Sequence, residues 1–326
     1  MMLTGRIDTW PLLSPFRISR GTISSVQVIV VEIEDRNGIR GRGEAAGVDY
    51  EGETPQSMLA QVESVRPRIE SGIDRQSLFH LLPAGGARNA LDCALWDLET
   101  KRSGIPAWQA AGLATIEPVP TAYTIGIGPL DEVAAKAEAV RDHRLLKLKA
   151  DADRHVQIVE TVRRICPASQ LIVDANQAWT IELLEELAPR LADHGTVLIE
   201  QPLPRDADNA LRDYRSPVPI AADESCTDRG SLWRLEGKYQ FINIKLDKCG
   251  GLTEGLALAF EARTRGFGLM VGCMLGSSLG MAPAAVIAQL CRFVDLDGPM
   301  LQAGDYVPPI KYERGIMSVP PRELWG

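Results

Sequence analysis

The chain has 326 residues, 45% of them hydrophobic and 24% charged, which suits a globular protein with room for two domains or one large barrel with additions. A formal net charge of −8, with no local basic run, argues against nucleic acid or an anionic membrane as a general partner. The N-terminal MMLTGRIDTWPLL lacks the basic-then-apolar layout of a secretory signal and no apolar run reaches the length of a bilayer span, so the expected compartment is the cytoplasm.

In chain order, SSVQVIVVEIED alternates as a strand, Arg36-Asn37-Gly38 reads as a turn, and GIRGRGEA returns as a second strand. Helical pattern follows. GGARNALDCALWDLETKRSG places Ala87, Ala90, Leu91, Ala94, Leu95 and Leu98 on one stripe and stops at Gly104. Strands followed by helices predict a small α+β domain over residues 1–115.

From about Val119 the rhythm changes to strand and helix in alternation. Strands are expected at TAYTIGI, LLKLKA, QLIVDAN, TVLIEQP, VPIAADES, FINIKLD, GLMVGCM and RFVDLD, with helices at 130–140, 152–165, 181–194, 231–235 and 253–265. Eight strands in this pattern close most naturally into a parallel barrel, because a sheet so wide would otherwise need protected edges. The barrel is expected over 116–303. The tail after Gly304 reads as short strands and a turn that return to the first domain.

LLKLKAD, from Leu145 to Asp151, places two lysines in an otherwise buried strand. Period-two alternation puts Lys147 and Lys149 on one side, and apolar flanks disfavour a solvated edge. Two buried ammoniums repel each other and lose hydration, so they need a chemical reason. In such barrels, catalytic residues stand at the C-terminal strand ends. Those ends carry Thr124, then Lys147 and Lys149, then Asp174, Glu200, Asp223, Lys245 and finally Asp295 and Asp297.

Asp174, Glu200 and Asp223 end three successive strands and would converge on one point. Each alone could cap a helix or bind a surface arginine, but three converging carboxylates call for a cation. The six cysteines and four histidines are scattered without ligand spacing, so all-oxygen ligation points to Mg²⁺. Strand two lies opposite strand six in an eight-stranded barrel. Lys149 and Lys245 would therefore face each other, one removing a proton from a carbon and the other returning it. Neighbouring cations and burial should lower their pKa values, with Lys147 as such a neighbour and as a donor to the developing oxyanion.

KLKAD, VDANQAW, IEQPL, ADES, NIKLDKCGGLTEGL and DLDGP, together with FRISRG, GRGEA and ARNALDCALWDL, resemble the enolase superfamily. The resemblance is to its muconate lactonizing subgroup, within that to the dipeptide epimerases, and closest to the L-Ala-D/L-Glu epimerases of muropeptide recycling. It implies an α/β fold, a modified TIM barrel (β/α)7β with a capping domain completed by the tail. It implies Mg²⁺ held by Asp174, Glu200 and Asp223 with Asn176 and Glu224 in support, Lys149 and Lys245 as the acid/base pair, and a homo-oligomer. A lysine base beside a metal-stabilised enediolate is an established property of that superfamily rather than a deduction from these residues.

Strand seven carries no histidine, which disfavours the mandelate racemase and acid-sugar dehydratase branches. N-acylamino acid racemases and muconate-type cycloisomerases share the lysine core and stand as alternatives, with a non-catalytic metal-binding barrel further off. Strand eight separates them. Asp295 and Asp297, at period-two spacing, suit the free ammonium of a dipeptide, whereas anionic groups would be repelled there. A turn-forming Asp-Gly-Pro would explain Asp297 but not Asp295. Thr124 joins this substrate-facing set. The loop FRISRGTISS supplies Arg17 and Arg20, of which Arg20 is taken as the contact to a glutamate side chain, and Ile23 stands where close relatives carry a third arginine.

Overall fold

A computed structural model of the protein describes residues 1–18, 21–149 and 154–326. The chain begins with a long antiparallel pair, β1 (Met2–Ile18) and β2 (Gly21–Glu34), and β3 (Arg40–Ala45) pairs with the other edge of β2. The expected turn is present, with Asp35 Oδ1 accepting from the N–H groups of Asn37 and Ile39. The sequence reading did not anticipate β1. Pro11 and Pro15 interrupt its alternation, and the register with β2 slips between Pro11 and Phe16.

Helices α1 (Pro55–Glu70), α2 (Arg75–Leu81), α3 (Gly86–Ser103) and α4 (Ala107–Ala110) follow. Strand β2 serves two cores because its faces alternate. Ile29, Val31 and Ile33 pack with Met58, Val62 and Leu91, whereas Val28 and Val30 join the larger cluster that continues into the second half of the chain. Close contact of β3 with α3 explains the RGRGE spacing. A Cβ at Gly41 would come within 2.1 Å of the Ala94 carbonyl oxygen, and one at Gly43 within 2.0 Å of that of Ala90.

After β4 (Val119–Pro120) comes the barrel: β5 (Tyr123–Ile125), α5 (Leu130–Ala139), β6 (Leu145–Lys149), α6 (His155–Ile165), β7 (Gln170–Asp174), α7 (Ile181–Asp193) and β8 (Thr196–Glu200). It continues through β9 (Ile220–Ala222), α8 (Leu232–Leu235), β10 (Phe241–Ile244), α9 (Leu246–Cys249), α10 (Leu252–Thr264), β11 (Gly268–Gly272), α11 (Ser278–Ala288) and β12 (Phe293–Asp295). β5 to β12 form one parallel sheet in sequential order, and the Ala122 N–H donates to the Val294 carbonyl at 2.8 Å to close it. The crossover between β8 and β9 carries only a short 3-10 turn at Asp208–Arg212.

The tail forms β13 (Tyr312–Glu313) and β14 (Ile316–Met317), which pair with β4. It then reaches the capping elements. Arg42 donates to the carbonyls of Glu323 and Leu324, and the Gly326 N–H donates to Asp97. No helix among the described residues is long and apolar enough to cross a membrane.

Candidate active site

The barrel interior is built in layers. Ala122, Leu145, Ile172, Leu198, Ala221, Phe241, Met270 and Phe293, one from each strand or the residue just before it, pack into a closed apolar floor. Two residues on, the same inward direction on each strand gives Thr124, Lys147, Asp174, Glu200, Asp223, Asn243, Gly272 and Asp295. The active layer is therefore polar at seven of eight positions. The eighth is glycine for a steric reason: a Cβ at Gly272 would meet the Asn243 amide oxygen at 2.7 Å. That amide in turn donates to Glu200 Oε1 at 2.9 Å.

Lys147 is the hub of this layer. Its Nζ lies 3.0 Å from Asp174 Oδ2, 2.9 Å from Glu200 Oε2 and 2.8 Å from Asp295 Oδ2. One step higher, Lys149 Nζ donates to Asp174 Oδ2 at 2.6 Å and to Asn176 Oδ1 at 2.9 Å. Asn176 takes a left-handed φ of 44° and returns its N–H to Asp174 Oδ1. Lys245 Nζ is 2.7 Å from Asp223 Oδ2, and Lys248 Nζ is 2.6 Å from Asp223 Oδ1. Glu224 is buried beside Asp223.

These contacts set carboxylates against the buried ammoniums, and for Lys245 they outweigh the expected lowering of its pKa by burial and by Lys147. Burial lowers the pKa of Lys147, but Asp174, Asp295 and Glu200 outweigh it and hold the ammonium well above its ordinary range. Lys245 is raised in the same way, burial being outweighed by Asp223. The carboxylates divide. Burial works against Asp174 and Asp223, yet their lysines hold both well below the usual value. Glu200 is pushed up to about 7 by burial and by Asp174.

Asp295 and Asp297 both line the cavity above this layer, as does Thr124. Asp297 precedes a 3-10 turn at Gly298–Leu301 but does not cap it; its Oδ2 instead accepts the Thr124 N–H at 2.7 Å. Asp297 heads the turn through its backbone, its carbonyl accepting the Met300 N–H at 2.9 Å, while its side chain serves Thr124 instead. Burial and Asp295 push Asp297 up to about 7. Asp295 Oδ1 is buried and has no hydrogen-bond partner.

The cavity measures about 440 Å³ and is roofed by the capping elements. Phe16 and Ile23, cross-strand partners in the β1–β2 hairpin, line it with Ser25, Gln27 and Tyr50. The loop that carries Tyr50 is pinned from two sides. Asp247 accepts the Gly47 N–H, and Glu53 accepts those of Val48 and Gly86. Arg20 lies outside the described residues.

Sequence reasoning missed Lys248, Asn243 and Gln201. Lys248 follows Lys245 by one helical turn, so α9 alone brings both ammoniums to Asp223. Asn243 carried a signal in its inward position two residues before Lys245. Gln201 carried none.

The carboxylates do not converge as expected. Among the described residues, no group of three His, Cys, Asp or Glu side chains is arranged to hold a metal ion. Lysine ammoniums stand between them: Asp174 and Glu200 share Lys147, and both oxygens of Asp223 face Lys245 and Lys248. The donor chemistry nevertheless fits a hard divalent cation. Four ammoniums (Lys147, Lys149, Lys245, Lys248) meet six carboxyl groups (Asp174, Glu200, Asp223, Glu224, Asp295, Asp297) in one buried cluster, which leaves two negative charges when all are ionised.

Comparison with known proteins places this geometry. Residues 132–323 match the enolase C-terminal domain-like family, and residues 3–112 match the N-terminal domain of mandelate racemase / muconate lactonizing enzyme. The chain belongs to that enolase-superfamily group. It is 44% identical over 310 residues to the L-Ala-D/L-Glu epimerase of Escherichia coli (strain K12), covering 94% of this chain and 96% of that one. It is 42% identical over 254 residues to an N-acetyl-D-glutamate racemase of a Pseudoalteromonas species, covering 78% and 80%. Among solved structures, an enolase family member from Agrobacterium tumefaciens with homology to dipeptide epimerases, bound to sodium and L-Ala-L-Glu, has a TM-score of 0.97 and 41% identity over 99% of each chain.

Proposed function

We propose that this protein is a Mg²⁺-dependent epimerase that inverts the α-carbon of the C-terminal residue in L-Ala-X dipeptides. L-Ala-D/L-Glu derived from muropeptides in the cytoplasm is its preferred substrate. One observation carries the proposal. Lys149 and Lys245 project from the second and sixth strands of a closed eight-stranded barrel into a single cavity, with the carboxylate set between them.

Asp174, Glu200 and Asp223 would hold the cation, with Asn176 and Glu224 in support, once the lysines cede those oxygens. When bound, Mg²⁺ supplies the positive charge that stabilises the developing enediolate. The chain's own residues do the rest. One lysine takes the α-proton from one face and the other delivers a proton to the opposite face, which inverts the centre. Lys147, freed from Asp174 and Glu200 by the cation and still paired with Asp295, donates to the oxygen on which negative charge develops. Asp295 Oδ1 and the Asp297 carboxylate accept the substrate's free ammonium, with Thr124 holding Asp297 in place. Arg20 is assigned to the glutamate side chain. The capping hairpin and the 46–53 loop keep water from the reacting carbon.

A second reading, racemisation of N-acylamino acids, is favoured by the likeness to the N-acetyl-D-glutamate racemase. The buried acceptors on β12 weigh against it, because an N-acyl group offers no charge to satisfy them. Turnover of L-Ala-L-Glu and of N-acetyl-L-glutamate, each with Mg²⁺, tests the choice. A higher kcat/KM for the dipeptide supports the proposal, and a higher value for the N-acetyl compound overturns it.

A further inference from the structure

Asp223 stands at the end of a three-residue strand, and both its side-chain oxygens face lysines. Its carbonyl accepts from Lys248 and from the Cys226 N–H, and its own N–H goes to a further residue. Gln201, the residue after Glu200, is fully buried and takes a φ of +35°, a conformation unfavourable for a side chain of its size. Its side chain explains why that conformation persists. Gln201 Oε1 accepts the N–H groups of both Asp223 (2.9 Å) and Ser225 (3.1 Å), so one amide oxygen clamps the peptide turn that carries Asp223 and Glu224.

The other end of the amide is anchored as firmly. Gln201 Nε2 donates to the Leu203 carbonyl, to Ser225 Oγ and to Tyr239 OH at 2.9–3.0 Å. Ser225 Oγ and Tyr239 OH both donate to Asp208 Oδ2, and Asp208 forms a buried ion pair with Lys238 at 2.5 Å. Gln201 also acts through its backbone: its N–H donates to Ala221, and its carbonyl accepts from Gln177, beyond the end of β7. Every polar atom of the residue has a hydrogen-bond partner, and Oε1 is committed to the turn that carries Asp223 and Glu224.

We propose that Gln201 is a positioning residue: through its amide, held by Ser225 and Tyr239 against the Asp208–Lys238 pair, it sets the Asp223–Glu224 turn in the orientation from which Asp223 can bind the divalent cation. The inference rests on the metal role assigned to Asp223 above. Groups that orient a ligand from behind typically change metal affinity by about 10–100-fold when removed.

The test is calorimetric titration of the full chain with MgCl2 alone, with no substrate present. Absence of Mg²⁺ binding by the wild-type chain would refute the metal reading itself. Given wild-type binding, Gln201→Leu should weaken Mg²⁺ affinity by about tenfold or more. Asp74→Ala, which removes a helix cap remote from the site, should lower thermal stability and leave the affinity unchanged. If Gln201→Leu does not fold, Gln201→Asn carries the test. Its amide is one methylene too short to reach both N–H groups, so its affinity should fall severalfold. A folded Gln201 variant that binds Mg²⁺ as the wild type does overturns the proposal.

Discussion

Lys147 and Glu200 meet at 2.9 Å although β7 separates their strands. The lysine reaches past Asp174 to make this contact and bridges on to Asp295, so one ammonium serves three buried carboxylates. Lys147→Met leaves those charges without their shared cation. Breaking a buried ion pair from one side costs about 3–5 kcal/mol. Chemical denaturation at pH 7.5 in a chelating buffer should show a loss of that order, and a loss below ~1 kcal/mol would mean that Lys147 is not their principal counter-ion.

Exhaustive chelation should abolish epimerisation, and added Mg²⁺ should restore it. Asp174→Asn should lose nearly all turnover at Mg²⁺ concentrations that saturate the wild type, since the cation loses a charged ligand and Lys149 loses its carboxylate partner. Full rate after chelation would refute the metal assignment.

Much of the barrel can be read from the sequence because its strands, covered on both faces, form short apolar runs that end abruptly in charge. The same burial hid α11. Ten of its eleven residues are buried and Pro283 lies inside it, so SLGMAPAAVIA has neither a polar stripe nor an uninterrupted pattern. The charged ends of successive strands made Asp174, Glu200 and Asp223 stand out together. Gln201 and Lys248 escaped because they act on Asp223 through loop and helix geometry that no local pattern encodes. The direction of the Lys245 pKa was misjudged for a related reason: sequence shows the lysines, but not that Asp223 stands 2.7 Å from Lys245.

Substrate choice should depend on the acceptors of β12. N-acetylation of L-Ala-L-Glu removes the ammonium, and a hydrogen bond to a charged group is worth roughly 1.5–3 kcal/mol, or about one to two powers of ten in kcat/KM. Asp297→Asn should slow free dipeptides and affect N-acyl substrates much less. Equal losses for both would show that Asp297 acts structurally through Thr124.

Glu44 links the cap to the barrel. It is buried, and its carboxylate accepts both the N–H and the hydroxyl of Ser277 at the start of α11. Burial pushes it up to about 7, against an ordinary value of 4.5. The folded state therefore binds the extra proton, and its contribution is fully present below pH 4.5 and lost as pH rises through 7. That linkage amounts to at most about 3 kcal/mol. Glu44→Gln removes it. Relative to wild type, the variant should gain stability between pH 5 and pH 7.5, as read by denaturation at both values, whereas a pH-independent difference would show that Glu44 does not titrate in this range.

The most direct test of the lysine pair is α-proton exchange in D₂O, followed by proton NMR on L-Ala-L-Glu and L-Ala-D-Glu with Mg²⁺ and the Lys149→Ala and Lys245→Ala variants. Neither variant should epimerise. Each should wash deuterium into only one diastereomer, and the two variants should choose opposite ones, because a single base remains on one face of the carbon. Epimerisation at the wild-type rate by either variant, or exchange of the same diastereomer by both, would contradict the opposed lysine pair.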